Sequence, residues 1–516
     1  MNLAEKLAET GRLFPGGEAL VHGSQRVSYA RLNDQVNRLA NGLKKLGLES
    51  GHRVLVALEN CPEFVISFYA IMAIRGVVVP VDPFYTIYEA AVIARDATPE
   101  LIICNAQNLS LYRELAGEVS IPRGIVVTGQ EINPAADYSF EQILAGSSPA
   151  PPPFPAEEKR DTVVEILYTP GNTGKPKGVM LTNHNLYSNA TTFARFCHLT
   201  PEDRSLLVAP AYHSGAQTCL LHASLAAGAT VVILERWPGP RAVLETMEKE
   251  RITYFFGTPT MYSLLVNYPE AHRYNLDSWR LAYAGGSHLS PQLFYAFSEK
   301  FGLTITEGYG LTETSPVVCS NPVDGPKKPG SVGPAFPGVE VQIVDYEDEP
   351  VPAGQVGEII VRGPNVMKGY FNQEEETRWA LRNGWLHTGD LAYMDGDGYV
   401  FIVDRKKNVI IRGGVNIDPR EVEDVLYLHP QVFDVAVVGV PDPVMGEEVM
   451  AFVMLRENAE VDAESLKEFC AGRLAPYKVP RRIQFVDDLP KTTSGKLLKR
   501  ELKRIIDQLY NNNTPS

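Results

Sequence analysis

Val163-Val164-Glu165-Ile166-Leu167-Tyr168 runs directly into Thr169-Pro170-Gly171-Asn172-Thr173-Gly174-Lys175-Pro176-Lys177-Gly178. The apolar run has the character of a buried strand, and the prolines and glycines behind it end that strand in a loop. Gly171, Gly174 and Gly178 let a backbone approach a ligand closely, the hydroxyls of Thr169 and Thr173 can donate to phosphate oxygens, and Lys175 and Lys177 add positive charge. Phosphate contact is the natural use of such a loop. It is not a Walker A loop, which ends in Gly-Lys-Ser/Thr and opens a helix, because Pro176 follows Gly174-Lys175. Taken alone, the segment also reads as a hairpin loop with solvated lysines.

Outward from that strand, runs rich in valine and isoleucine at 53–57, 101–104, 229–234 and 280–284 alternate with helical patterns such as 89–95. This alternation implies parallel sheets covered by helices, an α/β architecture. Residues 147–155 carry prolines at 149, 151, 152, 153 and 155, so they can continue neither a helix nor an interior strand and are expected to form a surface connector separating two α/β subdomains. From Pro337 onward the pattern changes to short strands at 339–344 and 357–361 and a turn-rich 395–398 leading into 399–403, a small β-rich subdomain. Past Asp404-Arg405-Lys406-Lys407 comes a shorter βαβ-like unit, with a helix over 419–428, a strand over 432–440 and a helix over 463–474, which reads as a separate C-terminal α+β domain. Residues 511–516 read as a disordered tail.

Composition narrows the function classes. With 516 residues, 44% hydrophobic and 21% charged, the chain has the make-up of a multidomain globular enzyme. A formal net charge of −14 argues against a nucleic-acid-binding surface and favours small-molecule chemistry. The six cysteines, at 61, 104, 197, 219, 319 and 470, form no CxxC pair and no ligand-like spacing with histidine, which fits a reducing, cytoplasmic compartment without zinc or a disulfide framework. Residues 1–12 contain Glu5 and Glu9 and have no signal-peptide core, and the longest apolar stretch, 64–81, is interrupted by Arg75. A soluble protein is expected, compatible with peripheral membrane contact and with a homodimer.

The segment 168–178 resembles the phosphate loop of the adenylate-forming superfamily, which includes acyl-CoA synthetases, peptide-synthetase adenylation domains and luciferases. Three further segments resemble motifs of the same family in the same order. They are Glu307-Gly308-Tyr309-Gly310-Leu311-Thr312-Glu313-Thr314-Ser315-Pro316, Gly384-Trp385-Leu386-His387-Thr388-Gly389-Asp390 and Pro490-Lys491-Thr492-Thr493-Ser494-Gly495-Lys496. The resemblance extends over essentially the whole chain, from Val27-Ser28-Tyr29 to Lys499.

The resemblance implies a two-step reaction. A carboxylate attacks the α-phosphate of ATP to give an acyl-adenylate and pyrophosphate, and the thiol of coenzyme A then displaces AMP. It assigns Thr169, Gly171, Asn172, Thr173, Gly174, Lys175 and Lys177 to the phosphates, Thr312 to the α-phosphate and Glu313 to Mg2+. Tyr309, with Glu307, Gly308 and Gly310, would lie beside adenine with Gly285, Gly286 and Ser287, while Asp390 would accept the ribose hydroxyls, helped by Ile402 and Arg405. Lys496 would offset the negative charge that builds up during adenylation. The implied domains are 1–404 for ATP and the acid, a hinge at 405–407 containing Lys407, and a mobile C-terminal lid, 408–516, in which Gly413-Gly414 matches the loop that approaches the pantetheine arm of coenzyme A. Plainer readings stand beside these assignments: Asp390 as a turn residue, Lys496 as one of several solvated lysines, Gly413-Gly414 as a hairpin turn.

His213, at the family's aromatic position near the acyl entrance, is assigned to catalysis and to the acid. Gly257, Thr260, Tyr283, Ala284, Gly285, Gly310 and Leu311 would line the acyl pocket. The segment before Thr312 lacks the tryptophan of acetate-type enzymes, so a medium- or long-chain fatty acid is expected. The alternatives are an aryl acid, a carrier-protein thiol as acceptor, a luciferase-like use of the adenylate, and a non-catalytic nucleotide-binding homologue. The loop departs from the family at Pro170 and Asn172, each of which stands where a serine or threonine is usual.

Overall fold

A computed structural model of the protein describes residues 2–129, 137–152, 160–169, 176–405, 408–412, 415–442, 444–457, 459–492, 497–499, 501–502 and 506. It is a mixed α/β structure with a large N-terminal domain and a smaller C-terminal one.

The strand Val163–Thr169 lies inside the first eight-stranded sheet, parallel to Val77–Pro80 and antiparallel to Lys177–Thr182. Arg53–Ala57, Leu101–Asn105 and Ile125–Thr128 continue that sheet in parallel on one side, and Gly369–Tyr370 closes the other edge against Lys177–Thr182. A second eight-stranded sheet runs in the order Val317–Ser320, Ile305–Gly310, Leu281–Ala284, Tyr254–Gly257, Arg204–Leu207, Thr230–Ile233, Glu18–His22, Gln25–Ser28, parallel except at its two ends.

These pairings correct the expectation for residues 147–155. The proline-rich connector does not divide two subdomains, because strands from both sides of it share each sheet: Val78 is in register with Glu165, and Leu20 with Val231.

The apolar stretch at 64–81 resolves into the helix Pro62–Ala73, buried at every position except Glu63, followed by the fully buried strand Val77–Pro80. A helix that is apolar on all sides belongs in a core. Among the described residues no helix is long and apolar enough to cross a membrane. The helix Ile87–Ala97 starts at a capping box in which Thr86 and Glu89 satisfy each other's backbone N–H groups.

The β-rich unit is a four-stranded antiparallel sheet of Glu340–Val344, Gly357–Arg362, Leu386–Met394 and Val400–Arg405. In the C-terminal domain, Val432–Asp442 does not feed a simple βαβ unit. It forms a long antiparallel hairpin with Gly446–Leu455, and the helix Ala463–Ala471 then leads to Arg482–Phe485, which pairs in parallel with Gly446–Leu455.

Candidate active site

Three neighbouring parallel strands, Tyr254–Gly257, Leu281–Ala284 and Ile305–Gly310, end on the same side, with Gly257, Ala284 and Glu307 in register. In open α/β sheets, ligands bind beyond the carboxyl ends of the strands. The segments expected to hold nucleotide and acid leave from here: Thr258 to Thr260, Gly285 to Ser287, and Leu311 to Glu313. Ser214 Oγ lies 3.5 Å from Thr312 Oγ1, which brings the half-buried His213 to the same rim, its ring against Tyr212. A Cβ on Gly310 would stand 1.9 Å from the Pro316 carbonyl oxygen, so only glycine allows this return of the chain.

Two of the expected residues are engaged below the rim. Tyr283 is buried; its hydroxyl donates to Ser320 Oγ at 2.9 Å and its ring stacks on Phe256. Glu307 is buried as well and accepts the Leu289 N–H at 3.2 Å, thereby holding the chain that leaves Gly285, Gly286 and Ser287. Burial pushes its carboxyl up to about 8, opposed by the Leu289 N–H and the Arg420 guanidinium.

Asp390 is buried, and the Tyr309 hydroxyl donates to its Oδ2 at 2.6 Å, which fixes the tyrosine ring between the strand ends and the four-stranded sheet. Burial and the nearby Asp390 carboxylate hold the Tyr309 phenol well above its ordinary pKa. The turn that presents Asp390 has Gly389 at φ +73 and is fastened at two points. Gly389 N–H donates to Glu358 Oε1 at 2.9 Å, and Asp390 N–H donates to Thr388 Oγ1 at 3.0 Å. Arg405 is the cross-strand partner of Asp390 by register, and the Ile402 carbonyl accepts from Arg420 Nη1 of the C-terminal domain at 2.9 Å.

Glu313 is half-buried and accepts a hydrogen bond from the Tyr370 hydroxyl at Oε1, at 3.0 Å. An oxygen donor in this position fits a hard cation such as Mg2+, which keeps most of its shell for phosphates and water rather than taking a cage of side chains. Among the described residues no group of three or more histidine, cysteine, aspartate or glutamate side chains is arranged to hold a metal ion by itself. Lys177 sits over the Tyr370 ring, 4.9 Å from its centroid, with its ammonium 2.5 Å from Glu376 Oε2. Gly171, Asn172, Thr173, Gly174 and Lys175 of the loop, with Pro170, lie outside the described residues, as do Lys407, Gly413, Gly414 and Lys496.

Tyr370, Glu358, Glu376 and Phe256 were not singled out by sequence reasoning. Glu358 entered only as part of the strand over 357–361, Glu376 stands in no motif, and Tyr370 sits in a Gly-Tyr pair with no chemistry of its own. Only the fold brings them to the site.

A large α/β domain with hydroxyl, carboxylate and tyrosine groups gathered at its strand ends, and a smaller C-terminal domain beside it, is the plan of an adenylate-forming ligase. Residues 7–371 match the AMP-binding enzyme family and residues 421–496 the AMP-binding enzyme C-terminal domain. A long-chain-fatty-acid–CoA ligase of Bacillus subtilis (strain 168) is 36% identical, the match covering 96% of this chain and 93% of that one. A feruloyl-CoA synthase of an Amycolatopsis species is 37% identical over 96% of both. Among solved structures, the anthranilate CoA ligase AuaEII in complex with anthranoyl-AMP superposes with a TM-score of 0.94 at 27% identity, over 99% of this chain and 98% of that one. The chain belongs to the AMP-binding enzyme family. It is an AMP-forming acid–thiol ligase, an ATP-dependent acyl- or aryl-CoA ligase working through an adenylate, with Mg2+ and coenzyme A.

Proposed function

We propose that this ligase activates a medium- or long-chain fatty acid and transfers it to free coenzyme A, giving acyl-CoA, AMP and pyrophosphate. The observation that carries the reading is the meeting of Thr312, Glu313, Tyr309 and Asp390 at one set of strand ends. Ribose hydroxyls would bind Asp390, the adenine would lie against Tyr309 and Gly285 to Ser287, and the Thr312 hydroxyl would donate to the α-phosphate. Glu313 would hold Mg2+, whose charge lowers the repulsion between carboxylate and polyphosphate. The acid would enter past His213 and rest against Gly257, Thr260, Ala284, Gly310 and the half-buried Leu311. Support for a fatty acid comes from these apolar surroundings and from the Bacillus subtilis relative.

A second reading, an aryl acid, is favoured by the feruloyl-CoA synthase relative and by Phe256, whose stacking on Tyr283 places a flat aromatic ring between Gly215 and Gly285. Acid-dependent exchange of pyrophosphate into ATP, across a panel from acetate through long fatty acids to aryl acids, separates the two. Maximal exchange with an aryl acid would retire the fatty-acid reading, and no exchange with any acid would retire both. Product formed only on a carrier-protein thiol would replace free coenzyme A as acceptor.

In this reading residues 1–404 bind ATP and acid, 405–407 are the hinge with Lys407, and 408–516 are a lid that brings Lys496 to the first half-reaction and Gly413-Gly414 to the thiol. Lys496→Ala is expected to reduce adenylate formation at least a hundredfold while sparing thioester formation from supplied acyl-adenylate, on the scale of a lost charge-stabilising group of roughly 3 kcal/mol or more. Equal losses in both half-reactions would remove the division of labour.

A further inference from the structure

A chain of four side chains links the strand leaving the glycine-rich loop to Glu313. Glu376 holds the Lys177 ammonium at 2.5 Å, Lys177 covers the Tyr370 ring at 4.9 Å, and the Tyr370 hydroxyl donates to Glu313 Oε1 at 3.0 Å. The backbone around Tyr370 is fastened as well. Its N–H donates to Thr377 Oγ1 at 2.8 Å, and Phe371 N–H and Lys368 N–H donate to the Gly178 and Met180 carbonyls at 2.7 and 3.0 Å. Lys177 is 14% exposed, so its charge is committed to a partly desolvated place beside an aromatic face, where a cation–π contact is stronger than in open water. A cation over the ring also draws electron density from the phenol and strengthens its O–H as a donor.

We propose that Tyr370 is a positioning residue for Glu313. By occupying Oε1 it fixes the carboxylate plane and leaves the other oxygen for the Mg2+ of Mg·ATP, and Lys177 serves this function through Tyr370 and Glu376 rather than by touching a phosphate. The inference rests on the adenylation reading and adds a device to it.

The test is calorimetric titration of a non-hydrolysable ATP analogue at graded Mg2+ concentrations and in EDTA. Tyr370→Phe keeps the ring and removes one hydroxyl; it is expected to raise the Mg2+ concentration needed for half-maximal analogue binding about tenfold, the scale of one hydrogen bond to a charged group. Its affinity in EDTA is expected to stay unchanged, which a general structural defect would not allow. Glu376→Gln, at a half-exposed position, should move the Mg2+ requirement the same way by a smaller factor, and it keeps the test available should Tyr370→Phe fail to fold. A requirement unmoved in both variants overturns the proposal. So does a Lys177→Met loss that is equal with and without Mg2+, since that places the lysine on a phosphate. If the unsubstituted protein binds the analogue with no Mg2+ dependence, the adenylation reading falls and the proposal with it.

Discussion

Pro170 has no N–H to offer a phosphate oxygen, and Asn172 has no hydroxyl. The combined change Pro170→Ser, Asn172→Thr is expected to lower the ATP KM by about tenfold, the scale of one recovered hydrogen bond to a charged group. Steady-state kinetics over a range of ATP concentrations checks this, and an unchanged KM would mean that the departures are harmless. At this scale the sequence was most informative where chemistry and position coincide. Thr312, Glu313 and Asp390 stand in long ordered motifs, and the structure brings Thr312 beside Ser214 and Asp390 beside Tyr309. Tyr370 was not legible, because its importance lies in a hydroxyl reaching a residue 57 positions away. The hydrogen bond from Gly389 to Glu358 was hidden for the same reason, as the acceptor lies 31 positions away in a neighbouring strand.

Among the elements, the strand Val163–Thr169 carries a carboxyl in its buried middle. Glu165 Oε1 accepts from Gln217 Nε2 at 2.8 Å, across from the π-helical turn Ala216–His222 that follows His213. Burial pushes this carboxyl up to about 8, opposed only by the Gln217 hydrogen bond. With a folded-state pKa above that of the unfolded chain, the folded protein holds the proton longer. The stabilising contribution is therefore complete below the ordinary value of 4.5 and is lost as pH rises through about 8. Glu165→Gln, which keeps the size and one hydrogen-bonding oxygen, is expected to melt several degrees above the unsubstituted protein at alkaline pH and to show a smaller difference near pH 5. Scanning calorimetry over that range decides it, and parallel curves would show that Glu165 does not titrate between the two limits. Glu307, shifted in the same direction, would leave a residual slope in the variant.

The elements that could be read were those with strong patterns, because a strand buried on both faces is a continuous apolar run and the stretch 89–95 has helical spacing; the capping box of Thr86 and Glu89 that starts this helix was a signal left unread. The strand Gly446–Leu455 was passed over. It opens with Gly446-Glu447-Glu448, charges that suggest a loop, yet Glu448 is buried against the Arg412 guanidinium at 2.7 Å. Long-range pairing overrode the local signal there.

At the scale of the molecule, the sequence revealed the two domains but not the route of the chain between the large sheets. Local composition records where a strand begins and ends, whereas the choice of neighbour is a tertiary matter. The prolines at 149 to 153 looked like a boundary because they interrupt secondary structure, and nothing local tells a loop between two domains from a loop that leaves a sheet and returns to it. Among the described residues, polar side chains join the large and small domains in addition to the Arg420 contact with the Ile402 carbonyl. His288 Nε2 lies 2.9 Å from Asp424 Oδ1, and Arg456 Nη1 donates to Asn267 Oδ1 at 2.6 Å. A polar seam of this kind is compatible with the lid movement proposed above.

The shared sheets have a consequence for synthesis and for proteolysis. During translation the edge strand Lys177–Thr182 of the sheet built on Arg53–Ala57 stays open on its outer side until Gly369–Tyr370 has been made, and the inner strands find their neighbours sooner. Once folded, a protease cut within 147–152 would sever the backbone and leave the pairing of Val163–Thr169 with Val77–Pro80 in place. The two fragments are expected to co-elute on gel filtration and to part only in denaturant. Fragments that separate under native conditions would mean that each half folds alone after all.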